Sequence, residues 1–250
     1  MILSLYSKSD FEEEFRNYQA WKDKADPEVN VHYFRVARMM RDILFTCSAI
    51  DFGYEMTRQS RALDPTFPGV RLYNLNQTVL APLLKAAGKG YMGVCHGSDI
   101  PYVYNGLFLE GPMLEADLQL AVSVASSFIN FAYTGVPANT DDPSHEPWPE
   151  AFSGLEALKE PRKLGFTSMN LQLIGGPFGT GASQLTDRGA SMSEWVSWED
   201  TRTMQALMVS NQECERADCR RLRERKRQLE RQKLFERCKF INSLSEKLDI

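Results

Sequence analysis

Tyr91-Met-Gly-Val-Cys-His-Gly-Ser-Asp-Ile-Pro-Tyr-Val-Tyr104 is the stretch on which the reading of this chain turns. Gly93 and Gly97 bracket His96 with residues that tolerate turn geometry and leave steric room around the imidazole. Ile100 to Tyr104, apolar and β-prone, follows at once and reads as a short strand. A histidine held in a small-residue loop beside a strand is well placed to reach out of a scaffold and move protons. The nucleophile that such a base would serve is missing: the 250 residues contain no Gly-x-Ser-x-Gly.

Upstream of the loop, Thr78 to Ala87 is a short apolar stretch, and Gly69-Val-Arg-Leu-Tyr-Asn74 reads as a strand. Asp64-Pro65 and Pro68-Gly69 end a helical region that runs from Val31 to about Arg61. Its apolar positions, Phe34, Ala37, Met40, Leu44, Cys47 and Ile50, recur at helical spacing with Arg38, Arg41 and Asp42 between them. Residues 9–24 are acidic and aromatic and read as a surface helix, which Asp26-Pro27 breaks.

Downstream, Leu114 to Tyr133 is the clearest helix, with Leu114, Leu118, Ala121, Ala125, Phe128 and Ala132 on one face. Gly135 sits where a left-handed C-cap belongs, with Pro137 just beyond. Residues 136–165 form a Pro-rich loop around Trp148-Pro149, and Leu164 to Ile174 reads as a strand. That strand ends at Gly175-Gly-Pro-Phe-Gly-Thr-Gly181, which lacks the Lys-Ser/Thr of a phosphate loop and is expected to be a mobile loop. From about Trp195 the chain is helical and strongly charged. No internal repeat is visible. Strands separated by helices predict an α/β domain. One domain over 1–250 is expected, in four parts at about 1–60, 61–110, 111–190 and 191–250.

The charge is uneven. Residues 212–239 carry eleven Lys/Arg and six Asp/Glu, a net of +5, which leaves −9 of the overall −4 to the rest. A basic stretch raises nucleic-acid binding, but Glu213, Glu215, Asp218, Glu224, Glu230 and Glu236 are interleaved with the cations. Leu222, Leu229, Phe235, Cys238, Ile241, Leu244 and Leu248 add an apolar stripe. That describes an amphipathic helix docked on a body with a solvated charged face, so no nucleic-acid partner is expected. No apolar run approaches the ~20 residues that a spanning helix needs. The opening Met1-Ile-Leu-Ser-Leu-Tyr6 has no basic n-region and is not read as a signal peptide.

His32 and His145 lack the glycine frame of His96, and no role is assigned to them. Cys95 adjoins His96, but neighbouring side chains rarely face each other, which argues against a Cys–His dyad. Cys214-x4-Cys219 could form half a zinc site, yet no second Cys/His pair accompanies it, so neither metal nor cofactor is expected. Five cysteines, Cys47, Cys95, Cys214, Cys219 and Cys238, leave the redox compartment open. The sequon at Asn76-Gln-Thr78 is weak support for secretion, since such triplets arise often by chance.

Several of these runs together resemble the type B carboxylesterases, the cholinesterase and fungal esterase/lipase lineage of the α/β-hydrolase fold. Ile2-Leu-Ser-Leu-Tyr6 and Ser9-Asp-Phe11 resemble the family's mid-domain segment, and Arg41-Asp-Ile-Leu-Phe-Thr-Cys47 its helix ending in cysteine. Gly93-Val-Cys-His-Gly97 with Asp99 and Tyr102-Val-Tyr104 is similar to its catalytic-histidine loop. Phe131-Ala-Tyr-Thr-Gly-Val-Pro137 followed by Trp148-Pro149 matches a further run of the family, and Cys238-Lys-Phe-Ile-Asn-Ser-Leu244 its closing helix. Ser48 stands where relatives often have proline.

The resemblance implies that His96 is the general base toward a serine and then the general acid toward the leaving alcohol of a carboxylic ester. It implies a disulfide between Cys47 and Cys238, and through it an oxidising, extracellular setting for a full-length member. It further implies that the chain is the carboxy-terminal portion of an α/β-hydrolase, an incomplete central sheet flanked by helices. The family's serine, acidic partner and oxyanion loop all precede the resembling segment, and none of those roles is assigned here. An intact oxyanion hole can leave ~10³–10⁴ of catalysis after a triad member is lost, but that hole is absent too. The expectation is therefore an esterase-family segment that is inactive alone. An exposed sheet edge and uncovered apolar face would make it prone to self-association. The alternative is a non-catalytic, cholinesterase-like scaffold or adhesion domain.

Overall fold

The computed structural model describes residues 5–12, 29–104, 115–138, 147–153, 168–176, 180–186 and 233–248. Most of the expected surface helix over 9–24, the helical reading of 195–232 with Leu222 and Leu229, His145, Cys214 and Cys219 lie outside these residues.

The segment from Val31 to Leu63 is helical throughout, in three parts: α1 (Val31–Arg41), a π-helical turn (Asp42–Thr46) and α2 (Cys47–Leu63). The Asn30 side chain starts α1 by accepting the His32 backbone N–H at 2.9 Å. The Cys47 N–H reaches back to the Asp42 carbonyl, the i→i−5 bond that makes the turn wide. The wide turn rotates the inward face. Cys47, Ile50, Tyr54 and Thr57 are buried as one stripe, whereas Ala37, Met40 and Leu44, expected on that stripe, are exposed. The expected face extrapolated a 3.6-residue period through a turn that does not keep it.

Strand β1 (Tyr73–Leu75) starts later than Gly69, the expected first residue. It is followed by α3 (Ala81–Ala86), the short α4 (Ile100–Val103) and α5 (Glu115–Thr134). Then come β2 (Ser168–Ile174), β3 (Gly181–Thr186) and α6 (Leu234–Leu248). The strands form one mixed sheet in the order β1-β2-β3. β1 runs parallel to β2, pairing Tyr73 with Gln172, and β2 runs antiparallel to β3, pairing Ser168 with Thr186 and Leu173 with Gly181. β3 was not expected. Its Gly181-Ala-Ser start is too poor in large apolar residues to show alternation, and residues 177–179 of the glycine-rich stretch before it lie outside the described residues.

β2 is buried from both sides, as a strand between helical layers should be. Met169, Leu171 and Leu173 pack with Ile50 and Tyr54 of α2 and with Leu234 and Phe235 of α6. Ile174, on the alternate face, packs with Tyr102, with Ala121 and Val124 of α5, and with Trp148. The described residues therefore have helices on both faces of a small mixed sheet, consistent with the α/β expectation. α5 ends as expected: Gly135 adopts φ +75° and donates its N–H to the Phe131 carbonyl at 2.8 Å. Leu118 and Ala132, expected on its inner face, are exposed.

α6 docks through Phe235 and Cys238, and the latter is joined to Cys47 with a Cα–Cα distance of 5.0 Å. Arg237 falls in the stretch read as a solvated charged face, but it is buried. Its Nε donates to the Leu5 carbonyl at 2.8 Å, its Nη1 lies 3.7 Å from Asp42 Oδ2, and its guanidinium covers the Tyr6 ring at 4.5 Å. Asp42 is itself fully buried and accepts from the Tyr6 hydroxyl at 2.9 Å and from Arg41 Nε at 2.8 Å. The cation was mistaken for a surface charge because its counter-charge comes from a helix 195 positions earlier. Among the described residues no helix is long and apolar enough to cross a membrane.

Candidate active site

The histidine loop begins after a 3₁₀ turn at Gly90–Met92. Gly93 takes φ +56°, ψ −131° and Gly97 takes φ +82°, conformations that a side chain disfavours, so both flanking glycines are needed by the backbone. Around His96 and Gly97 the chain is closed by two short bonds. The Cys95 N–H donates to Ser98 Oγ at 3.1 Å, and the Ser98 N–H donates to the Cys95 carbonyl at 3.0 Å. Ser98 is buried with its hydroxyl inside this turn, so it does not face outward as a nucleophile would. The half-buried Cys95 thiol lies 3.6 Å from the same hydroxyl.

Ile100 to Val103 is one turn of helix, not the expected strand. Pro101 decides it. Its fixed φ suits the first turn of a helix, and its missing N–H costs nothing there. The Val103 and Tyr104 N–H groups then bond the Asp99 and Ile100 carbonyls at 2.9 and 3.0 Å. His96 thus precedes a helical turn, and its link to the sheet runs through a side chain.

That link is Asp99, which accepts the Tyr73 hydroxyl of β1 at 3.2 Å. The Tyr73 ring packs against Trp148 and Phe128, with centroids at 5.6 and 5.9 Å. Beyond the loop, Tyr102 is sealed and donates to Asp117 of α5 at 3.4 Å. Asp117 also takes the Gln77 amide, whose Oε1 accepts the Gly176 N–H at 3.0 Å. Sheet, α5 and Gly176 therefore hold the loop in common. On the other side, Tyr91 meets Tyr33 of α1 edge-to-face at 5.3 Å.

Partial burial pushes the Tyr73 hydroxyl up to about 12, helped by the Asp99 charge and by the hydrogen bond between them. In the unfolded chain it should titrate near 10. The folded state then holds this proton while the unfolded state loses it, so stability should fall as pH rises from about 10 toward 12. Tyr73→Phe should remove that part of the alkaline decline in denaturant midpoints. An identical decline in the variant would contradict the assignment.

His96 itself is exposed. Its ring stacks on Phe45 of the π turn, with centroids 5.0 Å apart and planes inclined by 25°. No hydrogen bond ties it to another of the described residues. His32 is held elsewhere, its Nδ1 3.1 Å from Arg35 Nη1. Among the described residues no group of three or more His, Cys, Asp or Glu side chains could hold a metal ion. Phe45 was missed at the level of sequence. The signal was present, since Ile43-Leu44-Phe45 puts three apolar residues in succession on a helix and they cannot all face one core.

Comparison with known proteins gives the chain a family. The sequence profile described as the carboxylesterase family matches residues 2–170. The chain is also 29% identical over 164 residues to the inactive carboxylesterase-like protein VdtD of Byssochlamys spectabilis, covering 64% of this chain and 26% of that protein. The chain spans about a quarter of the length of that relative. No solved structure matches it significantly. The profile reaches from the amino-terminal segment through the glycine-framed histidine and α5 into β2, two thirds of the sequence, and on that ground the chain belongs to the carboxylesterase family.

Proposed function

We propose that the chain is the part of an α/β-hydrolase esterase that carries the proton-shuttling histidine, and that by itself it hydrolyses no ester. One observation carries the reading: His96 is solvent-exposed on a loop whose backbone is fixed by two glycines and tethered to the sheet through Asp99 and Tyr73. In that role the imidazole takes the proton of an alcohol nucleophile as its oxygen attacks the ester carbonyl, and returns it to the departing alkoxide. The substrate class is a small-molecule carboxylic ester. The nucleophile, its acidic partner and the oxyanion donors would come from outside these 250 residues. The mixed sheet would be one portion of a larger central sheet. The Cys47–Cys238 bond supports an oxidising, extracellular setting.

The inactivity follows from magnitudes. A positioned base contributes ~10²–10⁴-fold, and only where something holds substrate beside it. The purified 250-residue chain should turn over p-nitrophenyl butyrate no faster than buffer, and should elute as a dimer or larger through its exposed apolar side chains. In a longer polypeptide joining these residues to a Gly-x-Ser-x-Gly segment, His96→Ala should lower kcat by at least ~10²-fold with folding intact. Turnover that survives that change would refute the role given to His96.

A second reading, a non-catalytic scaffold, is favoured by the name of the matched relative, an inactive carboxylesterase-like protein. It predicts that the longer polypeptide is inactive even with His96 in place.

A further inference from the structure

We propose that Phe45 is a positioning residue for His96: its ring is the platform against which the imidazole is held. The catalytic meaning of this contact rests on the proton-transfer reading above, while the contact itself rests on geometry. The two rings lie 5.0 Å apart with a 25° tilt, a stacked arrangement that attracts beyond the area it buries. Yet Phe45 remains 49% exposed, so core packing does not account for its position.

The backbone beneath it does. Phe45 lies in the π turn Asp42–Thr46, and the buried residues Asp42 and Cys47 hold that turn at its two ends. At one end Asp42 is gripped by Tyr6 and Arg41; at the other Cys47 is bonded covalently to Cys238. A side chain on a segment fixed at both ends is a stiff support even where its ring meets solvent. Such turns recur at functional sites because the added residue re-aims the side chains that it carries.

The benefit to His96 is orientation. No hydrogen bond to a described residue fixes its ring, and the side chain is exposed, so the Phe45 ring is the contact that orients it among the described residues. Stacking covers one face of the imidazole and leaves its edge, which carries both nitrogens, to meet an incoming hydroxyl. Restricting a reacting group to a narrow range of orientations is one of the larger sources of rate in catalysis.

The experiment is proton NMR of the oxidised 250-residue chain with isotope-labelled histidine. The Phe45 ring current should displace the His96 ring-proton signals upfield from those of His32. In Phe45→Leu that displacement should vanish while the Trp148 indole signal stays in place; Phe45→Tyr and Phe45→Trp should preserve it. If Phe45→Leu also disturbs Trp148, the two aromatic variants decide: retention of the shift supports the platform, and its loss overturns it. His96 signals unchanged in Phe45→Leu overturn the proposal outright. Failure of the proton-transfer reading would look different, as ester turnover that survives His96→Ala in the longer polypeptide while the Phe45-dependent shift persists.

Discussion

Cys47→Ala, or reduction of the native bond, should lower the unfolding free energy of this chain by about 5 kcal/mol on the chain-entropy account, less where the reduced, unfolded chain keeps residual structure. The size follows from the span. The two cysteines are 191 positions apart, so the bond removes a very large loop from the denatured ensemble. Both residues are buried, and the bond joins α2 to α6 through the cluster that also contains Ile50, Tyr54, Leu171 and Leu173. Without it, α6 would be held by the apolar contacts of Leu234 and Phe235 and the polar contacts of Arg237, with no covalent tie, and this helix should be the first element to come away. Urea denaturation followed by near-UV dichroism, with and without reductant, measures the difference. Coincident midpoints would show that the bond contributes nothing to stability.

Asp42→Asn should cost about 3–5 kcal/mol, the usual consequence of removing one partner from a buried ion pair. Arg237 would keep its charge with only 1% of its surface reaching water. Its bond to the Leu5 carbonyl and its contact with the Tyr6 ring would remain, but Asp42 would no longer offer it a negative charge at 3.7 Å. Arg237→Met, a shape-tolerant apolar replacement, leaves Asp42 with Tyr6 and Arg41 and should cost less. The double variant should lose less than the two single losses added together, because the Asp42–Arg237 attraction that each single variant removes is then lost only once. Additive losses in a double-mutant cycle would mean that the two groups do not interact.

The two variants also probe how the amino-terminal segment is attached. Leu5, Tyr6 and Phe11 form a small core with Val31, and Arg237 reaches into it from the far end of the sequence. Loss of the pair should therefore release residues 5–12 before the sheet melts. Neither effect could be anticipated from the local sequence around Arg237, which sits among alternating charges and reads as solvated.

Much of the fold was legible before any coordinates. The helices over Val31–Leu63 and Glu115–Thr134, the glycine cap at Gly135, the strand ending at Ile174 and the docked closing helix all carry local signals: apolar period, capping residue, helix-breaking pair. What misled were places where a local rule met a tertiary constraint. Ile100 to Tyr104 is rich in β-forming residues, yet Pro101 and the Asp99 carbonyl make it a helical turn. Met40 and Leu44 obey helical spacing but lie before and within a π turn that rotates the face. β3 carries almost no apolar signal because β2 supplies its hydrogen bonds and its neighbours.

By itself the sequence determined the glycines that let His96 stand in a tight loop and the family to which the chain belongs. Glycine requirements, caps and periodicity are properties of a few neighbouring residues, so they survive in one dimension. Only the tertiary structure decided what each of those residues touches. Phe45 meets His96 across 51 positions, Tyr73 meets Asp99 across 26, and Arg237 meets Leu5 across 232. Such pairings depend on how helices and strands stack, and no pattern along the chain encodes them.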